Sequence, residues 1–213
     1  MRIWPMALAL LTLTAFTPLS AQDWEAGLLV ANQTYPSLTI NMVSAGSYRL
    51  QPGSKTITAL RAGRTVLDLS GGSLQVSAMF QPFTTATGSL YFNSGNSLQM
   101  NYRTQQFGLG GLYQFKTPVA LGAGLDVRVE RLAATTQFLG SSASAAVNLV
   151  RPWARADAGY AFSTASGVKP FIKLELAAPL VNRSLNTNTF SGTDLVAAMA
   201  PRLQAGIYLG VTF

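Results

Sequence analysis

The sequence contains no cysteine and no histidine among its 213 residues. Without cysteine, neither a disulfide framework nor a thiolate metal site can form. Without histidine, a serine nucleophile would lack its usual base. The sequence also has no phosphate-binding loop, zinc pattern or calcium loop, so it predicts no catalytic residues, no cofactor and no metal ion.

Charged residues are scarce as well. They make up 11% of the chain, against 48% hydrophobic residues, whereas a soluble domain typically has about 25% charged residues. After residue 21, no uncharged apolar run approaches the ~18 residues of a transmembrane helix. A β-barrel in a membrane satisfies both observations, because lipid replaces water as the solvent for half of each strand.

The alternation of apolar residues with small or polar ones is clearest at the carboxyl end of the sequence. Every second residue from Leu203 to Phe213 is apolar, and the residues between them are small or polar, which predicts a strand with one apolar face. An alternating strand that ends in Phe resembles the closing strand of bacterial outer-membrane β-barrels. The resemblance implies an assembly signal at Phe213, Val211 and Leu209, read by the barrel assembly machinery.

The amino end has the features of a secretory signal peptide. Arg2 precedes an apolar run from Met6 to Phe16, and a small residue, Ala21, follows before Gln22. An uncleaved membrane anchor is the alternative, but prolines frame the run and no basic cluster follows it. We therefore expect residues 1–21 to be a signal peptide and residues 22–213 to form one outer-membrane β-barrel domain.

The same alternation, followed backwards from Phe213, predicts eight strands, and bacterial barrels have an even number. The expected fold is an all-β, eight-stranded antiparallel up-and-down transmembrane β-barrel. Two polar segments, Leu132 to Ala146 and Asn182 to Thr193, are expected to be outer loops. The predicted strands are Trp24 to Ala31, Lys55 to Leu69, Ser73 to Phe83, Leu98 to Phe115, Val119 to Arg131, Val147 to Phe162, Lys169 to Leu180 and Met199 to Phe213.

The segment Gln33 to Ser54 is predicted to be a third, long outer loop. Within it, Leu38 to Val43 and Ser47 to Leu50 would pair as an additional hairpin in a ten-stranded barrel. A spanning strand needs about 9–11 residues, and both pieces are shorter. Eight strands are therefore favoured over ten.

Eleven charged residues fall on the non-apolar register of their predicted strands. An Arg or Lys that faces lipid at the midplane costs about 2–4 kcal/mol, and the interior of an eight-stranded barrel is just wide enough for side chains. We interpret the set as a structural lumen charge network, with a catalytic or conducting site as the alternative. The set is Glu25, Arg64, Asp68, Asp126, Arg128, Glu130, Arg155, Asp157, Lys173, Glu175 and Arg202.

Basic residues outnumber acidic ones, and the formal net charge is +7. Such a charge can indicate nucleic-acid binding, but a secreted barrel argues against it. A basic outer rim suits lipopolysaccharide or other anionic surface groups, and ordinary solvated loop charge is an equal alternative. The predicted basic outer rim consists of Arg49, Lys55, Arg61, Arg103, Arg131, Arg151 and Arg183.

Over residues 22–213 the chain resembles the small eight-stranded barrels of Gram-negative bacteria, the OmpA/OmpX/OmpW-like group. The resemblance implies an integral protein of the cell outer membrane, in contact with outer-membrane lipids. The oligomeric state stays open, and a monomer is favoured. Because a fold does not determine a function, two functions stay open. We expect a non-enzymatic role in envelope integrity or in adhesion and recognition through outer loops, and the alternative is a narrow pore or transporter for small solutes.

Overall fold

A computed structural model describes residues 24–42, 46–92, 97–138, 141–164, 167–185 and 191–213. The predicted signal peptide, residues 1–21, lies outside the described residues. Ten strands and one short helix form within these ranges. They are β1 (Trp24–Thr34), β2 (Leu38–Met42), β3 (Gly46–Pro52), β4 (Lys55–Leu69), β5 (Gly72–Phe92), β6 (Ser97–Phe115), β7 (Ala120–Phe138), β8 (Ser141–Ala161), β9 (Lys169–Pro179), α1 (Gly192–Ala198) and β10 (Leu203–Thr212).

Eight of these strands close an antiparallel up-and-down β-barrel. Consecutive strands pair around the barrel from β4 to β10. β1 completes the circle, because it pairs with β10 on one side and with β4 on the other. At the closure, Leu28 of β1 lies opposite Leu209 on one side and Leu60 on the other. The predicted eight-stranded all-β barrel is confirmed. We call the end where Trp24 and Phe213 exchange backbone hydrogen bonds the terminal end.

The other two strands, β2 and β3, form a hairpin at the opposite end, which we call the hairpin end. β3 pairs with the far part of β5, where Leu50 lies opposite Leu90. The hairpin does not enter the barrel closure, because β1 pairs directly with β4. The prediction of one long loop over Gln33 to Ser54 is therefore wrong in detail, since most of this segment is paired strand.

The barrel wall extends further toward the hairpin end than the sequence predicted. The segment Leu132 to Ala146 is not a loop, because β7 continues to Phe138 and β8 begins at Ser141. Their backbone pairing includes Thr135 opposite Ser144. Such pairing satisfies backbone N–H and C=O groups whatever the side chains are, so a Ser- and Ala-rich segment can continue a strand without apolar alternation.

Helix α1 was not predicted. The last strand was expected to begin at Met199, but β10 begins only at Leu203, and α1 precedes it. Ser191 caps the helix: its hydroxyl accepts the N–H of Asp194 at 3.2 Å, and the Asp194 carboxylate accepts the N–H of Ser191 at 3.0 Å. This reciprocal pair is a capping box. The predicted loop Asn182 to Thr193 is therefore wrong at its last two residues, because α1 begins at Gly192.

Helix α1, which we call the plug, closes the hairpin end of the barrel with its buried face. Val196, Ala197 and Met199 are at most 5% exposed. They pack into an apolar cluster that also includes the buried side chains Tyr35, Leu50, Ala86, Met100, Tyr102, Leu132, Ala134, Leu149 and Ala200. No helix in the described ranges is long and apolar enough to cross a membrane.

The outward face of the barrel carries exposed apolar side chains on all eight strands. We call this surface the apolar belt. One representative from each strand is between 41% and 68% exposed: Leu28, Leu60, Phe80, Phe107, Leu125, Val150, Leu174 and Leu209.

Candidate functional site

The interior of the barrel holds ten buried charged side chains, five acidic and five basic. Because burial of an unpaired charge is costly, equal numbers of each sign allow every charge a partner. The acidic residues are Glu25, Asp126, Glu130, Asp157 and Glu175, and the basic residues are Arg61, Arg128, Arg151, Arg155 and Lys173.

The layer nearest the terminal end contains an ion pair and a carboxylate that accepts hydrogen bonds from a glutamine side chain. Lys173 Nζ lies 2.5 Å from Glu25 Oε2 and 4.8 Å from the centre of the Phe171 ring. The Gln114 amide donates to both oxygens of Asp157 at 3.3 Å. Both carboxylates thus have donors within hydrogen-bond distance.

Three arginines converge on Asp126 in the next layer. Its carboxylate lies 3.1 Å from a guanidinium nitrogen of Arg128, 3.6 Å from one of Arg155 and 3.9 Å from one of Arg61. Arg61 also pairs with Glu175. Interior glycine makes room for this group: a Cβ at Gly110 would lie 2.2 Å from Asp126 Oδ1 and 2.4 Å from the carbonyl oxygen of Leu125.

Glu130 is the carboxylate nearest the plug. It accepts hydrogen bonds from Arg151 Nη2 at 2.6 Å and from the indole N–H of Trp153 at 2.7 Å. Arg151 also donates to the carbonyl of Pro201 at 2.9 Å. The Trp153 ring, which is fully buried, has the Arg128 guanidinium carbon 4.2 Å from its centre.

A layer of amide side chains separates the charged residues from the apolar cluster. Gln33 Nε2 donates to Gln81 Oε1 at 2.9 Å and to Gln204 Oε1 at 3.3 Å. Arg128 donates to the same Gln204 oxygen at 2.9 Å, and the Tyr35 hydroxyl donates to Gln33 Oε1 at 3.1 Å. Amide side chains therefore lie between the charged groups and the apolar cluster beneath α1, and a second buried apolar cluster, which includes Leu29, Phe171 and Tyr208, lies among the charged side chains.

The chemistry of this interior is that of a polar core. Each of the five buried carboxylates contacts an arginine, lysine or glutamine donor. Within the described ranges, no group of three or more acidic, histidine or cysteine residues is placed to hold a metal ion.

Of the eleven residues predicted for the lumen network, eight are buried in the interior. The other three are corrected. Arg64 lies opposite Trp24 on the outer face, with its guanidinium carbon 5.3 Å from the indole ring centre. Asp68 lies beyond a β-bulge at the terminal end and is exposed, and Arg202 is exposed just before β10.

Two residues predicted for the basic outer rim, Arg61 and Arg151, are instead buried at 4% exposure. The pairing of β4 with β1 places Gly63 opposite the buried Glu25. Arg61 is two residues from Gly63 on the same strand, so it shares the inward face. Arg151 shares the inward register of Trp153. The five other residues of the predicted rim are exposed: Arg49, Lys55, Arg103, Arg131 and Arg183.

Because the interior holds equal numbers of acidic and basic side chains, the excess positive charge of the chain lies on the outer surface. At the hairpin end, six basic residues are exposed, against one acidic residue, Asp194, in the described part of the chain. The six are Arg49, Lys55, Arg103, Arg131, Arg183 and Arg202.

The terminal end has aromatic side chains on its outer wall and holds the residues predicted to be an assembly signal. Leu209, Val211 and Phe213 share the outward register of the last strand, and Phe213 and Trp24 exchange backbone hydrogen bonds at 2.9 and 3.0 Å. The assembly role stays a prediction. Exposed aromatic residues near this end are Trp24, Phe115, Tyr160, Phe162 and Phe213.

These features define an eight-stranded antiparallel β-barrel with a charge-paired interior and a helical plug at one end. The chain matches no protein-family model and no curated protein sequence. Its resemblance to the OmpA/OmpX/OmpW-like group therefore stays a prediction.

Proposed function

We propose that the protein is a non-enzymatic integral barrel of the bacterial outer membrane that acts in envelope integrity or in surface recognition through its hairpin end. The apolar belt carries this proposal. Each barrel strand presents at least one large apolar side chain that is more than 40% exposed. A contiguous apolar surface around a whole domain would promote aggregation in water, whereas lipid would cover it.

The height of the belt supports the same proposal. On β7, exposed apolar residues begin at Leu121, and the first charged outward residue is Arg131. At ~3.4 Å per residue, this distance is about 34 Å along the strand. A strand tilt of about 35–45° reduces it to roughly 24–28 Å along the barrel axis, close to the ~25 Å apolar band of outer-membrane barrels.

The filled interior favours a structural or recognition role over transport. An eight-stranded barrel has room for side chains but little more. Here Trp153 and Arg128 are 0% exposed in the middle of the barrel, and Met199 is 0% exposed beneath the plug. The exposed positive charge of the hairpin end complements anionic groups of an envelope surface, such as lipopolysaccharide.

A narrow pore for small solutes is the second candidate, and the amide layer favours it. Gln106 Nε2 and Gln204 Nε2 are buried without a hydrogen-bond partner among the described residues. Buried water commonly satisfies such groups. A hydrated amide layer would be one step in a water-filled path.

Membrane fractionation of cells that express the protein, followed by planar-bilayer recording of the purified protein, tests both candidates. The proposal predicts recovery with the outer membrane and insertion into bilayers without steady current. Stable single-channel currents would favour the pore. Recovery in the soluble fraction, or failure of folded protein to insert, would contradict both.

A further inference from the structure

Two arginines share one aromatic ring on the outer wall of the barrel. The guanidinium carbons of Arg103 on β6 and Arg131 on β7 lie 4.9 and 5.8 Å from the centre of the Phe83 ring on β5. All three side chains are exposed. Cation–π contacts of this length hold guanidinium groups against a ring, so Phe83 keeps two positive charges together on the wall.

Hydrogen-bond donors surround the two arginines. Across the strands, Arg103 lies opposite Thr85, and Arg131 lies between Gln105 on β6 and Asn148 on β8. No carboxylate in the described ranges forms a salt bridge with either arginine. We call Thr85, Arg103, Gln105, Arg131 and Asn148 the arginine patch. Its chemistry suits an anion with several acceptor oxygens.

The arginine patch lies directly above an apolar row of the belt. Phe107 lies opposite Phe80 on one side and Val129 on the other, and Val129 lies opposite Val150. Phe80, Phe107 and Val150 are between 42% and 68% exposed. A ligand that covers both surfaces needs an anionic head and an apolar tail.

We propose that the arginine patch binds the phosphate-bearing headgroup of a lipid whose acyl chains lie along the row of Phe80, Phe107 and Val150. Guanidinium groups bind phosphate through paired, charge-assisted hydrogen bonds. The inference rests on the proposed membrane function, because only a membrane presents such a lipid at this height. It adds a site on the outer wall, separate from the interior.

The experiment compares three forms of the protein in nanodiscs of phosphatidylcholine that contain a minor fraction of phosphatidylglycerol. They are the wild type, the double variant R103Q/R131Q and the control R49Q/R183Q. The control removes the same charge from exposed arginines outside the patch. Native mass spectrometry measures the phosphatidylglycerol that stays bound, and heat-modifiable electrophoretic mobility shows that each form is folded.

We expect the wild type to retain phosphatidylglycerol in preference to phosphatidylcholine. R103Q/R131Q should lose this preference by about thirtyfold, since each arginine near an anionic lipid surface contributes a factor of about five and the two factors multiply. R49Q/R183Q should behave as the wild type. A folded R103Q/R131Q that retains the lipid, or an equal loss in R49Q/R183Q, would overturn the site.

Inorganic phosphate separates a lipid site from a simple anion site. Because acyl contacts are part of the proposed site, excess phosphate should not displace the lipid. Complete displacement would overturn the lipid proposal in favour of a phosphate-ion site. A wild type that does not insert into nanodiscs would contradict the proposed function and the site together, whereas insertion without lipid preference would contradict the site alone.

Discussion

Arg151 and Glu130 connect the barrel wall to the plug at its hairpin end. Their side chains meet at 2.6 Å inside the barrel, and the same guanidinium group donates to the carbonyl of Pro201 at 2.9 Å. Pro201 lies between α1 and β10. One buried ion pair between β7 and β8 therefore also holds the segment that carries α1.

Replacing Glu130 with alanine should lower the free energy of unfolding by about 3–5 kcal/mol, because Arg151 would stay buried without its partner. Urea-induced unfolding in detergent micelles measures this change. Arg183→Gln is the control, since it removes an exposed charge and should change stability by less than about 0.5 kcal/mol. A loss below about 1 kcal/mol for Glu130→Ala would contradict a dry, charge-paired interior.

Val196→Asp should release α1 from the barrel mouth. Val196 is 1% exposed in the apolar cluster, and a carboxylate there would have to be buried without a partner. Limited proteolysis should then cut between β9 and β10 while the barrel stays folded. Thr193→Asp places the same charge on the exposed side of α1 and should leave the segment protected. Equal cleavage of both variants would show that α1 is not held by its apolar face.

The capping box predicts that the stability of α1 depends on pH. Hydrogen bonds from the hydroxyl and the N–H of Ser191 lower the pKa of the Asp194 carboxyl below its unfolded value of about 3.9. Ionised Asp194 therefore stabilises α1 above about pH 4, and this stabilisation is lost as the pH falls through the lower folded-state pKa. The protection of the α1 amides against hydrogen exchange, measured relative to the intrinsic exchange rate at each pH, should therefore fall there. Asp194→Asn should abolish this dependence, and an unchanged profile in that variant would assign it to another group.

Two neighbouring glycines give a matched pair of variants. A Cβ at Gly110 would lie 2.2 Å from Asp126 Oδ1, whereas a Cβ at Gly111 would have its nearest neighbour, the carbonyl oxygen of Gln75, at 3.9 Å. Gly110→Ala should lower the free energy of unfolding by about 1–3 kcal/mol through overpacking, and Gly111→Ala should be nearly neutral. Equal effects would mean that the interior is loose enough to accept a methyl group.

The sequence predicted the register of a strand wherever one of its two faces is consistently apolar. On β7, Leu121, Leu125 and Val127 alternate with interior residues, and the structure has this register. On β4 the two faces are mixed, because Thr56 and Thr58 alternate with Ile57 and Ala59. Only the pairing with β1 decides that Ile57 and Ala59 point inward, so Arg61 was wrongly assigned to the rim.

Features at the hairpin end were harder to predict. Helix α1 has only seven residues, too few for a helical period to be visible, although Ser191 and Asp194 stand at the spacing of a capping box. The extensions of β7 and β8 are held by backbone pairing. Because such pairing does not depend on the side chains, this Ser- and Ala-rich segment shows no alternation of apolar and polar residues. The charge balance of the interior followed from register, but the individual partners depend on side-chain geometry across several strands.

Cysteine accessibility on intact cells tests the central claim, an integral barrel with its hairpin end outside, most directly. The chain has no cysteine, so Gly53→Cys at the hairpin end and Gly167→Cys at the terminal end each introduce a single thiol. At both glycines, a Cβ would have no heavy atom within 4 Å among the described residues. A membrane-impermeant maleimide should label Gly53→Cys on intact cells and Gly167→Cys only after the outer membrane is disrupted. Equal labelling of both thiols on intact cells, or labelling of Gly167→Cys alone, would contradict the account.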